Sequence, residues 1–442
     1  MSERARPVHA IDGAGRWLSA GAVGLCLLLL AGLLALLVQQ ASSAFAVLPV
    51  EVLSLRGDPG DSLLGELVEV AGDRLVIRGS EWRRQGDAYR RIAVADLTTR
   101  DRPQDILLIR LRDGRHWFVR EAVYRSVERD EPIVWSGMPA GIVLHHSDIA
   151  EVIAPNRLDW VERCRTLLSR AWLFLQGGRA QAVAGGDGLL AALIGSALLV
   201  ILMSILVMPL GVLTALWMHE YAGSGWRARL IRASVSNLAA VPSVIYGLFG
   251  LALFVHTLGG SLDRWFYAER LPAPTFGAGG LLWSALTLAL LTLPVVIVAT
   301  EEGLSRVPRS LRMGALALGA TRSEMLWNVV LPVARPALLT GLILAVSRAA
   351  GEVAPLMLVG VVKLAAALPV DAEFPWLHPS RAFMHLGHVV YDQALSGNDA
   401  VRAGGRAYAA ALLLLALVVI LNAIAILVRN RLRERSRQFQ DD

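Results

Sequence analysis

The chain has 442 residues, 55% of them hydrophobic, a mean hydropathy of +0.51 and a formal net charge of +6. Its apolar residues sit in long blocks rather than periodic stripes, a composition that excludes an ordinary soluble enzyme and marks a membrane protein. The only lysine, Lys363, is not part of a Gly-Lys-Ser/Thr sequence, so the polypeptide cannot itself be a P-loop ATPase.

Six blocks can each cross a hydrocarbon core of about 30 Å, which takes about 20 helical residues. They lie near Trp17 to Val38, Leu189 to Met218, Val235 to Leu258, Leu281 to Thr300, Pro336 to Val361 and Tyr408 to Val428. Ala44-Phe45-Ala46 behind the first block resembles a signal-peptidase site. The apolar run of about 22 residues exceeds the roughly 7 to 15 of a signal segment, however, so a retained helix is expected over the tail and first span, residues 1–45.

Residues 46–176 are polar and β-like. Leu67-Val68-Glu69-Val70 leads through Gly72-Asp73 into Leu75-Val76-Ile77, and Ile106 to Arg112 leads through Asp113-Gly114 into His116-Trp117-Phe118-Val119. The spacing predicts a small β-rich domain of about 110 residues from Glu51 to Cys164, enough for a modest core. Arg83, Arg84, Arg90, Arg91, Asp101 and Arg102 read as a solvated face, with a partner contact as the other reading. From Leu158 to Leu175 an interfacial helix is expected, with Trp160, Leu167, Leu168, Trp172 and Phe174 as apolar anchors beside Arg163, Arg165 and Arg170. Gly177 to Gly188 reads as a linker. Cys26 lies in the first span and Cys164 outside the membrane, so no disulfide between them is expected.

Orientation follows from basic residues in short loops. Arg4, Arg6 and Arg16, then Arg227, Arg229 and Arg232, then Arg306, Arg309, Arg312, Arg322 and Arg335, and finally Arg429 to Arg437 fall on one side. Arg264, Arg270, Lys363, Arg381, Arg402 and Arg406 fall on the other. Both termini, including the basic tail 431–442, are therefore expected in the cytoplasm, with the β-rich segment outside. The positive charge is then a topology signal, membrane lipid is the surrounding partner, and no nucleic acid is expected.

Within the core, residues 189–430, Glu220 and Tyr221 read as an interfacial boundary, and Pro242 predicts a kink inside the third span. Glu301 and Glu302 end the fourth span and are expected to pair with Arg306 and Arg309, a coupling role being the second reading. The loop 303–335 reads as helix, turn, helix. Gly319 permits the reversal, and Thr321 with Glu324 fits a capping box. Pro332 and Pro336 are expected to separate this hairpin from the next span.

That next span holds Arg348 and Glu352. An ionised residue in a membrane costs about 2.5 to 3.5 kcal/mol, so two of them need a reason. Four residues apart, they share a helix face and can pair. One reading is a self-neutralising pair that pins neighbouring helices. The other places Arg348 on a central pathway, where its forked donors suit a tetrahedral oxyanion and Glu352 holds it in place and prevents trapping of the anion. Gly341, Gly351 and Pro355 fit a span that bends or packs closely. His378, His385 and His388 are expected to be exposed loop histidines rather than a metal site.

The spacing Gly314-Ala315, three residues, Gly319, nine residues, Val329, one residue, Leu331-Pro332 resembles the EAA loop of ABC importer permeases, with Met313 where the family usually has Glu. Thr300-Glu301-Glu302, the run Leu316 to Thr321, the run Asn237 to Gly250 and the run Arg348 to Leu356 are similar to the phosphate importer permeases. The ending Gly-Glu-x-Ala-Pro-Leu is similar to the PstA type, and the likeness covers about Leu189 to Arg433. It implies an all-α permease of six transmembrane helices with a β-rich extracytoplasmic insertion after the first, in a bacterial inner membrane. It further implies ATPase docking through Gly314, Ala315, Gly319, Ala320, Thr321, Glu324, Leu331 and Pro332, with Glu301, Glu302 and Arg312 as secondary candidates. The implied partners are a PstC-type permease, two ATPase subunits that bind the ATP-Mg, and an extracytoplasmic phosphate-binding protein; no cofactor is expected on this chain. Sulfate or molybdate transport, or a membrane-anchored sensor or assembly role for the β-domain, are the alternatives.

Overall fold

The computed structural model describes residues 8–55, 62–79, 89–111, 116–125, 145–176, 189–223, 225–395 and 400–441. Arg83, Arg84, the Asp113-Gly114 turn and the linker Gly177 to Gly188 lie outside them. Among the described residues, six helices are long and apolar enough to cross a membrane: Trp17–Ser43, Leu189–Tyr221, Ser243–Phe266, Leu281–Ser305, Arg322–Gly351 and Gly405–Arg431.

Helix α1 (Val8–Ser43) leads into two antiparallel sheets. The first has the order β4-β3-β2-β1-β5, from β1 (Val50–Leu55), β2 (Ser62–Ala71), β3 (Arg74–Arg78), β4 (Tyr89–Ala93) and β5 (Leu97–Asp101). The second has the order β7-β6-β8, from β6 (Ile106–Leu111), β7 (His116–Arg120) and β8 (Ile149–Ile153), with the single turn α2 (Glu121–Arg125) after β7. Both hairpins read from the sequence form, β2 with β3 and β6 with β7. Val50 from the first sheet packs on Ile106, Leu108 and Phe118 from the second, which joins them through one apolar seam. Asn156 fastens this unit, its amide bonding the backbone of Val50 and of Pro103. Arg90 and Arg91 are exposed as a solvated face requires. Arg102 is not simply solvated. With Arg100 it pairs with the buried Glu51 carboxylate, at 2.6 and 2.5 Å, and these two cations hold that carboxyl below its usual value against the opposing effect of burial, the largest single influence.

Helix α3 (Trp160–Gln176) exposes Trp160, Leu168 and Trp172 and turns Phe174 onto Phe45, ring centroids 5.2 Å apart. The membrane core follows: α4 (Leu189–Leu216), α5 (Trp226–Leu238), α6 (Ser243–Phe249), α7 (Gly260–Phe266), α8 (Leu281–Ser305), α9 (Arg309–Ala317), α10 (Arg322–Met325), α11 (Leu331–Gly351), α12 (Ala354–Val359), α13 (Leu386–Leu395) and α14 (Ala400–Asp441). Helix α8 is central, with Leu288 and Val296 fully buried against Leu199 and Met203 of α4 and Ala345 and Ala349 of α11. In lipid, packing rather than the hydrophobic effect holds helices together, and small residues make the closest approaches. Gly211 lies on Val296, Gly303 on Ala337 and Gly341 on Ala299.

Three sequence expectations are corrected. The third span begins at Ser243, not Val235, and Pro242 precedes it rather than kinking it. A proline ring clashes with the carbonyl four residues back, here that of Leu238, where α5 ends. That carbonyl instead accepts the Tyr246 hydroxyl at 2.6 Å. Secondly, Pro332 and Pro336 do not separate the hairpin from the fifth span: a π-turn over Leu326–Val330 widens the backbone just before Pro332, and the helical run continues from Arg322 to Gly351. Thirdly, the fifth span does not run on to Val361. Pro355 would clash with the Gly351 carbonyl, and the helix stops there, with Glu352 extended at φ −85° and ψ 121°.

Candidate functional site

Arg348 sits in the last turn of α11 and Glu352 caps it, so the two flank a helix end instead of sharing a face in mid-span. The C-terminal dipole of α11 favours a cation at this place. Arg348 Nε lies 4.0 Å from Glu352 Oε1, an ion-pair separation too long for a hydrogen bond, and the side chains are 38% and 23% exposed. Gly247 on α6 packs directly against the backbone of Pro355 at the start of α12, so the third span touches the break that ends the fifth. Tyr246, the residue before Gly247, is buried at this contact. Beside them Asn422 of α14 donates to the Ser347 hydroxyl at 2.8 Å. Sequence reasoning missed Tyr246, Ser347 and Asn422 at this break. A lone amide within the apolar run Leu412 to Val428 was the available signal for Asn422.

The hairpin at the other end of the fifth span is α9, a reversal at Gly319 with φ +87°, and α10. A positive φ is strained for any residue with a Cβ, which explains glycine here. Thr321 and Glu324 form both halves of the capping box. Leu318 at the tip is 92% exposed and Met313 65%, while Gly314 and Gly319 have open space where a Cβ would point. Ala315 packs in part against the apolar cluster at this end of the bundle, Ala320 is half-buried, and Leu331 is buried in that cluster with Pro332 following in the first turn of α11. The structure therefore brings Gly314, Gly319, Thr321 and Glu324 together at an open surface and leaves Leu331 and Pro332 at the hairpin's base.

Arg312 turns inward. Its guanidinium pairs with Glu220 at the end of the second span and donates to the Leu304 carbonyl at 2.6 Å. Glu220 also lies 3.0 Å from His219 Nδ1, so it is a pairing site and not only a boundary. Glu302 pairs with Arg306 as expected, whereas Glu301 reaches Arg232 of α5 at 3.2 Å, not Arg306 or Arg309. Arg232 also donates to the Met218 carbonyl at 3.0 Å. Two ion pairs thus tie the hairpin and α5 to the ends of the second and fourth spans.

The loop histidines differ from expectation. His385 is 1% exposed, and burial, aided by nearby His388, pushes its pKa down to about 4. His378 is 3.0 Å from Asp371, whose carboxyl the Arg381 guanidinium holds down at about 2. The described residues contain no cluster of three groups placed to hold a metal.

Curated relatives match about two fifths of the chain. The probable ABC transporter permease protein YqgI of Bacillus subtilis is 32% identical over 179 residues, 40% of this chain and 55% of that protein. The phosphate transport system permease protein PstA of Mycobacterium leprae is 36% identical over 187 residues, 42% of this chain and 55% of that protein. The chain spans about half the length of these relatives. A structure of the MetNI methionine ABC transporter in inward-facing conformations is 16% identical, covering 56% of this chain and 95% of that one with a TM-score of 0.38. The profile described as "Binding-protein-dependent transport system inner membrane component" matches residues 207–434, from within the second span to the tail after the last. The chain belongs to this family of multi-pass inner-membrane transport components.

Proposed function

We propose that this chain is a permease subunit of an ATP-driven importer that carries inorganic phosphate into the cytoplasm. The observation that carries the reading is Arg348: a guanidinium at the end of an interrupted span, half-exposed and only loosely engaged by Glu352. Its fork matches two oxygens of a tetrahedral anion, and the adjacent carboxylate together with the negative end of the α11 dipole weakens the hold enough for release. The name of the Mycobacterium leprae relative supports phosphate as the cargo.

In this reading a PstC-type permease covers the exposed face of Arg348, two ATPase subunits dock on the hairpin, and an extracytoplasmic phosphate-binding protein delivers the anion. ATP-Mg is bound and hydrolysed in those ATPase partners, and this chain supplies no nucleotide chemistry. Both termini face the cytoplasm in this reading, which the arginine distribution supports. Closure of the ATPases pulls the hairpin and changes which side Arg348 faces, a rigid-body mode of alternating access.

Reconstitution tests this. Proteoliposomes carrying the chain with its permease, ATPase and binding-protein partners should take up labelled phosphate only with ATP, and Arg348→Ala should assemble yet fail. Uptake of sulfate or molybdate in place of phosphate would leave the pathway standing and overturn the cargo. An assembled complex that moves none of these anions overturns the transport reading.

A further inference from the structure

The family match begins at residue 207, so the β-sheets and α3 lie outside it. Arg110 on β6 stands in register with His116 on β7 and with Glu151 on β8, which puts the three side chains on one face of the second sheet. Arg170 of α3 meets them there, its Nε 3.7 Å from Glu151 Oε2. That distance is too long for a hydrogen bond, and both atoms are shut off from solvent without a hydrogen-bond partner. Arg110 is itself half-buried and, among the described residues, has no hydrogen-bonded or ion-paired acceptor. Burial first, then the neighbouring charge of Arg170, hold its guanidinium below the usual arginine value, with Glu151 acting in the opposite direction and Arg78 adding a smaller push down.

Arginine does not lose its proton in proteins, so a half-buried guanidinium without an acceptor carries a desolvation cost that a bound anion removes. Among the described residues, two arginines here meet one loosely held carboxylate, an excess of positive charge in which the Arg170 Nε donor is unmatched. Paired planar forks suit the oxygens of a compact tetrahedral anion.

We propose that Arg110 and Arg170 form a binding site for a small tetrahedral oxyanion at the junction of the second sheet and α3, with Glu151 as the internal competitor for the same donors. The site is separate from Arg348 and does not depend on the transport reading. Its occupancy would be felt at the membrane, because α3 also carries Phe174, which packs on Phe45 beyond the first span and lies 5.9 Å from the Arg406 guanidinium on α14.

The test is equilibrium binding of labelled inorganic phosphate to the full chain in lipid nanodiscs, in chloride buffer, with unlabelled sulfate as competitor. All proteins carry Arg348→Ala, so the candidate pathway does not contribute. Saturable binding is expected, weakened about tenfold or more by Arg110→Gln or Arg170→Gln. Glu151→Gln leaves both forks in place and removes the competitor, so it should tighten binding several-fold; a gain of affinity cannot come from misfolding. Competition by sulfate defines a general oxyanion site, and its failure to compete a phosphate-selective one. The proposal is overturned if the Arg348→Ala protein shows no saturable site, if a folded Arg110→Gln protein binds unchanged, or if Glu151→Gln only alters thermal stability.

Discussion

Thr321 and Arg348 stand near the two ends of one helical run: Thr321 caps its start at the hairpin, and Arg348 occupies its last turn before the break at Glu352. The run from Arg322 to Gly351 is 30 residues, about 45 Å at the rise of an α-helix. In the proposed transport cycle a displacement at the hairpin would reach the arginine along this one helical run, with the π-turn over Leu326–Val330 as its softest point. Loss of the cap should fray the lower end of that run. Thr321→Ala is expected to cost about 1 kcal/mol locally. Hydrogen exchange should show faster exchange of the Glu324 amide, which the Thr321 hydroxyl accepts at 3.3 Å, and unchanged exchange around Val346. Equal protection of Glu324 in both proteins would remove the cap from the account.

Glu352 makes a second prediction, about release. Its carboxylate lies 4.0 Å from Arg348 and competes with any anion bound there. Glu352→Gln keeps the size and removes the charge, so the anion should be held longer: the apparent KM for phosphate uptake falls and the maximal rate falls with it. A variant whose KM rises instead would show that Glu352 acts by placing Arg348 and not by limiting its hold.

The pair Arg312–Glu220 joins the hairpin to the end of the second span, with side chains only 15% and 16% exposed. Removal of Arg312 leaves the half-buried Glu220 carboxylate with only His219, and removal of Glu220 leaves the Arg312 guanidinium with only the Leu304 carbonyl. Arg312→Ala and Glu220→Ala should each destabilise by about 2 kcal/mol, while the double variant should cost clearly less than their sum. Thermal unfolding of the four proteins in one lipid condition measures the coupling, and strict additivity would mean the pair contributes nothing.

The parts legible in the sequence are those set by local rules. Hydropathy blocks placed six spans, alternation and Gly-Asp turns placed the hairpins, and Thr321 with Glu324 announced the capping box. Pro242 and Pro355 were visible as irregularities, but their meaning depends on the carbonyl four residues earlier: each ends one helix before the next begins, and neither bends a continuous span. Pro332 shows the converse, since a π-turn upstream lets the run continue past it. Pairings across long separations carry no spacing signal. Arg312 finds Glu220 92 positions away, Glu301 finds Arg232 69 positions away, and Asn422 finds Ser347 75 positions away. The burial of His385 was illegible for the same reason. It depends on the fully buried Leu386 that follows, whose amide bonds Ser196 of α4, and on the close packing of Gly387 against Val353.

His385 gives a pH dependence with a definite sign. Its Nδ1 accepts the Gly387 amide at 3.1 Å, which fixes the neutral ring, and burial lowers its pKa from 6.5 to about 4. The unfolded chain binds a proton near pH 6.5 and the folded chain does not until about pH 4, so between these values the unfolded state carries more protons and stability rises with pH. The contribution is intact above pH 6.5, falls as the pH drops through that window, and is constant below it. A shift of this size corresponds to about 3 kcal/mol over the whole window. His385→Asn, which cannot be protonated, should flatten the dependence of the unfolding midpoint on pH between about 4 and 6.5 while leaving the slope near pH ~3 unchanged. There the Asp371 carboxyl, held low chiefly by Arg381, supplies a separate loss as pH falls from 3.8 towards about 2. If the wild-type midpoint is already flat between pH about 4 and 6.5, the ring is reached by water and the buried placement of His385 is wrong.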